Sequence, residues 1–517
     1  MARTPWVHIL PPGRGRRLRT AALLGVLVAA GCATVPQEPI DPGVSATDSC
    51  TALFERADRE VAVADVADAG SQRIDDYPWL RIDRPLASFR DEVGTDARFA
   101  AWLRQLGNLD AEARAHELTN LPPAAYTRLT EHWEPSARRH GMSPDVDEAL
   151  ATCRELLNRD LQADDDAREH LREAAVAADA YATWMRVVGL YPLARLFARP
   201  QVTALHERLE ALIEAGPDSD DLRHYTVPRD RFADATRDPR RVARDIHRDA
   251  LEIPVPTAEE RGMLFDAHAP VWRIETRSDA DRPGVLLLDD EARSFVDVDQ
   301  PVEYRHFSWT RLDELVLPQL NYTVWFPERT PQSWFDPYAG HLDAVTWRVT
   351  LGPDGRVLAQ DTIHACGCYY TLLPGAGWRA VEDMPRREEP VFAPFDAAAE
   401  PGRGERVRVT LEGGRHYVLG VDVVGVEDVS DARGLAPLPS DHLRSLPLPG
   451  GGHASVYDED GFIPSTSRPE RFFLWPLGVR DAGAMRQPGN HAIAFIGRRH
   501  FDDPRLLERL LERDTPE

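Results

Sequence analysis

Three side chains suited to soft-metal or thiol chemistry fall within five residues, at His364-Ala365-Cys366-Gly367-Cys368. If the strand expected just before them continues, His364, Cys366 and Cys368 share one face, because alternate residues of a strand point the same way. Gly367 lets the backbone bend so that both sulfurs can approach one point. Imidazole and thiolate suit zinc or copper, and His491 and His500 are the candidates to complete the ligand set. Two other readings stand beside the metal one. The cysteines form a reducible pair in an oxidising compartment, or they are thiols buried in a turn that needs small residues only for its shape. Spacing alone does not separate the three.

A second constellation is Gly497-Arg498-Arg499-His500-Phe501-Asp502-Asp503. Arg498 and Arg499 are candidates for anion binding, since a guanidinium grips carboxylate or phosphate with two bonds. Asp502 or Asp503 could orient His500 as a general base. The competing reading is helix capping ahead of Pro504. A third region is aromatic: Trp325, Phe326, Trp334, Phe335 and Tyr338, with His341 and Asp343 close behind. It reads as sheet packing, with a carbohydrate, peptide or lipid groove as the alternative. The chain has no G-x-S-x-G, H-E-x-x-H or S-x-x-K motif. Catalytic residues therefore have no assignment from motifs.

All 61 basic side chains are arginine, and the formal charge is −24. Without lysine there is no Schiff base for pyridoxal-phosphate or aldolase chemistry. Nor is there a lysine to cradle a nucleotide phosphate, as kinases and P-loop enzymes require. With 85 acids against 61 bases, nucleic acid is not an expected partner.

Two stretches of different periodicity position these residues. Residues 49–262 read as helical. Phe99, Trp102, Leu103 and Leu106 recur at helical spacing, as do Leu205, Leu209, Leu212 and Ile213. Within this half Trp184 to Phe197 is the most apolar run. It reads as a buried helix broken at Pro192, with a membrane-facing hairpin or partner groove as the alternative. Asp218 to Arg248 reads as a charged surface connector. Residues 263–517 read as β-rich, mainly antiparallel, closing with a short helix at Leu506–Leu511. The hairpin signal is Thr346–Leu351, a turn at Gly352-Pro353-Asp354-Gly355, then a return strand from Arg356. Helices followed by strands give an α+β chain.

The first residues read as an address. Arg3, Arg14, Arg16, Arg17 and Arg19 precede the apolar run Ala21–Ala30, which is too short to span a bilayer. Ala29-Ala30-Gly31-Cys32 resembles the lipobox of bacterial lipoproteins. That resemblance implies a signal peptide over 1–31, diacylation or triacylation of Cys32, and a tether over 32–48. It also implies export, with a lipid anchor in a bacterial membrane and the body facing the periplasm or cell exterior. Loss of five arginines and no acid would leave the body at −29, so the lipid would have to hold it against anionic headgroups. With Cys32 taken, four cysteines remain, and Cys50 with Cys153 is the expected disulfide.

Leu320–Pro327, Leu342–Leu351, Ile363–Tyr370, Gly497–Asp503 and Gly189–Leu193 together resemble a family of uncharacterised bacterial exported or membrane-anchored proteins. The resemblance implies no mechanism. It implies a histidine in relatives where this chain has Tyr370, which would leave the ligand run incomplete here. The expected function is an envelope lipoprotein that binds a partner or envelope component. The alternative is a metal- or thiol-dependent enzyme using His364, Cys366 and Cys368.

Overall fold

The computed structural model describes residues 43–228 and 238–514. The expected signal peptide over 1–31, the expected lipidation site Cys32 and most of the expected tether lie outside the described residues. The chain is α+β, with helices mainly in the first half and antiparallel and mixed sheets in the second.

Four helices, Ala46–Ala64, Asp96–Asn120, Pro123–His140 and Val146–Gln162, build the first core. The first begins with a capping box, in which Ser45 and Asp48 satisfy each other's main-chain N–H. It buries Leu53, Phe54, Ala57 and Val61 along one stripe. Phe99, Trp102, Leu103 and Leu106 are buried as their spacing predicts. Val146–Gln162 is capped by Asp145, whose side chain accepts from the N–H of Glu148. Cys50 and Cys153 join the first and fourth of these helices, with Cα atoms 5.2 Å apart.

The second half folds around two sheets. The first has the order Thr371–Pro374, Val357–His364, Gly340–Leu351, Leu315–Arg329, Val302–Leu312 and Ala436–Pro439. Its first five strands run antiparallel, and the last pairs in parallel. The second has the order Val418–Gly425, Glu405–Leu411, Val271–Glu275, Leu222–Thr226 and Arg433–Gly434. The expected hairpin forms, and Gly355 takes a positive φ of 76° to close its turn. The sheets share a core in which Trp272, Ile274 and Val409 meet Leu320, Tyr322 and Trp347.

Three expectations change. The charged connector after Asp218 contributes Leu222–Thr226 to the second sheet, so strand structure begins well before residue 263. Ser45 to Glu517 cluster as one compact unit, and ion pairs cross between the halves, among them Arg444–Asp68 at 2.8 Å and Arg84–Asp502 at 2.7 Å. The Trp184–Phe197 run is not a buried helix broken at proline. The break falls at Gly189-Leu190, Pro192 sits in the first turn of the helix Tyr191–Ala215, and most of the large apolar side chains are exposed. Proline fits that position because it needs no N–H partner there.

The Cys50–Cys153 link closes a loop of 103 residues. Closing a loop of that size removes chain entropy from the unfolded state. Cys153→Ala should lower unfolding free energy by about 2–4 kcal/mol in urea titrations, with a reductant giving the same loss in the wild type.

Candidate functional site

The strand Val357–His364 stops where its chemistry begins. Gly367 N–H donates to the His364 carbonyl at 2.7 Å, and His364 N–H donates to the Cys368 carbonyl at 3.0 Å. These bonds turn the chain back on itself, so the alternation expected to align His364, Cys366 and Cys368 ends at His364. Gly367 has φ +87°, and a Cβ there would lie 2.5 Å from the Ala492 carbonyl oxygen. No other residue fits that approach.

The turn puts both cysteines on the wall of a narrow cleft with a cavity volume of about 40 Å³. Its apolar wall includes Val202, Leu205 and Leu209 of the Tyr191–Ala215 helix, with Phe392 and Val479. Cys366 is buried, Cys368 is partly exposed, and neither is in a disulfide. Cys368 N–H donates to Cys366 Sγ at 3.4 Å. Burial raises the Cys366 thiol, but the hydrogen bond from Cys368 and the charge of Arg468 outweigh it and hold it below the ordinary range. Cys368 is pushed well up by its bond to Cys366, by burial and by the neighbouring thiolate charge. The pair thus releases one proton readily and keeps the second.

His364 lines a smaller recess that shares Leu209, Tyr369 and Phe392 with the cleft. Its Nδ1 lies 3.2 Å from Asp343 Oδ1, and His416 Nδ1 lies 2.9 Å from Asp343 Oδ2. His416 Nε2 lies 3.5 Å from Asp281 Oδ1, and its ring stacks on Phe326 at 3.9 Å. Burial opposes the Asp343 charge, yet His364, His416 and Arg468 hold its carboxyl well below the usual range. The two imidazoles respond in opposite directions. Burial lowers His364, which has one carboxylate partner and faces Arg329 and His416. Burial also opposes His416, but two carboxylates, Asp281 and Asp343, push it up.

Three buried arginines surround the thiols. Arg486 donates only to main-chain carbonyls, those of Cys366, Arg480, Asp481 and Asn490. Arg329 donates to the hydroxyls of Tyr369 and Tyr417 and to the Arg415 carbonyl. Among the described residues neither forms an ion pair with a carboxylate. Arg468 lies 3.9 Å from Asp343 and donates to the Leu342 carbonyl. Glu470 is also buried, and its carboxylate packs against Gly483, where a Cβ would lie 2.2 Å from Oε1. Burial raises the Glu470 carboxyl to about 7 although Arg468, Arg329 and Arg486 all oppose the rise.

The histidines expected to join the cysteines lie elsewhere. His491 Nε2 sits 3.1 Å from the Ala365 carbonyl, and burial lowers its pKa to about 4. His500 pairs with Asp179 at 3.1 Å, not with Asp502 or Asp503. Asp502 holds Arg84, and Asp503 accepts the Arg505 N–H just ahead of the last helix. Among the described residues no three His, Cys, Asp or Glu side chains converge to hold a metal ion. Arg498 bonds Asp179 and Thr183, while Arg499 is buried against the Glu389 carbonyl, so the two do not open together onto one anion. Sequence reading reached Asp343 but missed Asp281, His416, Arg329, Arg468, Glu470 and Arg486. The Gly413-Gly414 turn before His416 was the available signal. The chain matches no family model, no curated protein and no solved structure.

His416→Ala strands Asp343 in the interior with one fewer cation. It should cost about 3–5 kcal/mol in urea titrations. A raised histidine contributes most below its unfolded value and loses that contribution as pH rises through its folded value. The difference between wild type and variant should therefore shrink from pH 6 to pH 9. Glu470 has the opposite character to a salt-bridged acid: the folded state holds its proton up to about 7. Stability should then fall as pH rises from about 4.5 to 7. Subtracting the Glu470→Gln curve from wild type should isolate a slope amounting to about 3 kcal/mol.

Proposed function

We propose that this is an exported, lipid-anchored bacterial envelope protein that performs thiol–disulfide exchange at Cys366 and Cys368. One observation carries the reading: Arg486 is buried beside two cleft-lining thiols and has no carboxylate partner among the described residues. A buried guanidinium stays charged and favours an anion next to it. Both thiols lie within reach of its field, Cys368 first and Cys366 second, and Arg468 joins it in holding Cys366 down.

In the proposed exchange, the Cys366 thiolate attacks one sulfur of a substrate disulfide. The S–S bond breaks, the other substrate sulfur leaves as a thiolate, and a mixed disulfide remains. Cys368 then loses its proton to Glu470, whose carboxyl is poised near neutrality. Its thiolate attacks Cys366 Sγ, and the second substrate thiolate leaves. Both leaving groups take up protons, one of them from Glu470. The product is a Cys366–Cys368 disulfide and two substrate thiols. Reversal returns the disulfide to substrate. A disulfide within C-x-C closes a small ring, and strained disulfides are the oxidising ones. Net transfer to substrate thiols is therefore the favoured direction.

Partner binding without catalysis keeps a separate foothold in the loop before Gly340. There Trp334 is 99% exposed and stands beside exposed Phe335 and Tyr338.

Alkylation of the reduced protein against pH tests the thiol reading. One of the two thiols should react with a midpoint below about 8.5, the ordinary cysteine value. Arg486→Met should raise that midpoint and Arg486→Lys largely keep it. The oxidised protein should convert a dithiol peptide to its disulfide while gaining two hydrogens, and Cys368→Ala should stop at the mixed disulfide with a disulfide peptide. Ordinary alkylation profiles at both positions, with no exchange, would sink the reading.

A further inference from the structure

The helix Thr183–Val188 and the helix Tyr191–Ala215 meet at a corner whose outer side chains are apolar. Trp184, Val187, Val188, Leu190, Leu193, Leu196 and Phe197 are each more than half exposed, with Phe197 at 77%. Phe472 and Phe473, similarly exposed, extend from the adjoining turn Arg471–Leu474.

The corner is rigid beneath this surface. Gly189 approaches Pro476 so closely that a Cβ would lie 2.5 Å from its Cα. Arg186 is buried between the rings of Tyr181 and Tyr191 and donates to the carbonyls of Leu477 and Gly497. The exposed residues are therefore held outward by a fixed frame.

Charge sets this surface apart from the rest of the chain. About one residue in six is acidic overall, yet Ala180 to His206 contains no acid, and neither does Arg471 to Val479. Arg195 and Arg199 stand on the same helix, and neither pairs with a carboxylate among the described residues. Apolar side chains with arginines beside them and no acid match a phospholipid interface, where tails lie under phosphates. Among the described residues no helix is long and apolar enough to cross a membrane, so seating at the interface, not spanning, is the mode this corner offers.

We propose that this corner docks in the headgroup and upper acyl region of a phospholipid bilayer. The proposal extends the lipid-anchored reading above. The ten residues between Cys32 and Gly43 reach at most about 35 Å, so an anchored body would lie within range of the bilayer. Docking would also orient the thiol cleft. Val202 to Leu209 of the same helix line that cleft, about 8–18 Å along the helix axis from Phe197. Substrates carried at the membrane surface would then meet the thiols directly.

Hydroxyl-radical footprinting of the full-length protein, with and without vesicles of phosphatidylethanolamine and phosphatidylglycerol, reads the contact by mass spectrometry. Trp184, Phe197, Phe472 and Phe473 should become at least about fivefold less oxidised on vesicles, while Trp334 serves as the exposed reference. Leu193→Glu/Phe197→Glu should abolish that protection. Equal oxidation of the corner and Trp334 on vesicles would overturn the proposal. So would protection that rises with protein concentration without vesicles, which would mark self-association. The N-terminal peptide in the same spectra shows whether Cys32 carries lipid, so failure of the anchor and failure of the corner are read separately.

Discussion

A single buried carboxylate, Asp343, ties the β half together. It lies on the strand Gly340–Leu351, and its two oxygens hold His364 at the end of the next strand and His416 from the turn before Val418–Gly425. Those elements belong to different sheets. A carboxylate without solvent is expensive, and it is tolerated only when its oxygens are met by donors and opposite charge. Asp343 therefore demands that both histidines and Arg468 arrive at fixed places. The turn carrying the thiols leaves directly from one of them, so its position is inherited from the ionic cluster and not set by the cysteines.

The absence of lysine has its consequence inside the molecule. Every non-histidine cation taken into the interior is a guanidinium, which does not lose its charge on burial as an amine can. Arg81 and Arg114 meet Glu117 and Asp110 in the helical half, and Arg348 meets Asp361 in the β half. Around the thiols the pattern changes. Arg329 and Arg486 satisfy their N–H groups with hydroxyls and carbonyls, which accept hydrogen bonds but carry no full charge. On a chain with a formal charge of −24, this makes a locally cationic interior. That field favours the Cys366 thiolate, whereas at Glu470 burial overrides it and keeps the carboxyl protonated up to about 7.

The elements were more legible than the site. The Thr346–Leu351 hairpin and the helical stripe Phe99–Leu106 could be read because their signals are local: alternation around a glycine turn, and apolar side chains every three or four residues. Leu222–Thr226 lies in charged surroundings and becomes a strand through pairing with Val271–Glu275. Such pairing has no local mark. The site was legible as far as its cysteines and Asp343. Its electrostatic half comes from residues spread between Asp281 and Arg486, joined only by the fold. Alternation misled at His364 because a strand's period says nothing about where the strand ends.

The apolar run at Trp184–Phe197 failed differently. Hydrophobicity reports that a surface avoids water, but not whether the chain itself covers it. Burial in the core was the ordinary expectation for a run of that length. The acid-free character of the same stretch was a separate signal, also present in the sequence, that core packing does not require. A buried helix has no reason to exclude acids beyond its apolar face, whereas a surface facing phosphates does along its whole exposed length. Apolarity and missing acid together distinguish an outward apolar corner from an inward one, and the frame around Arg186 is what turns that composition into a surface.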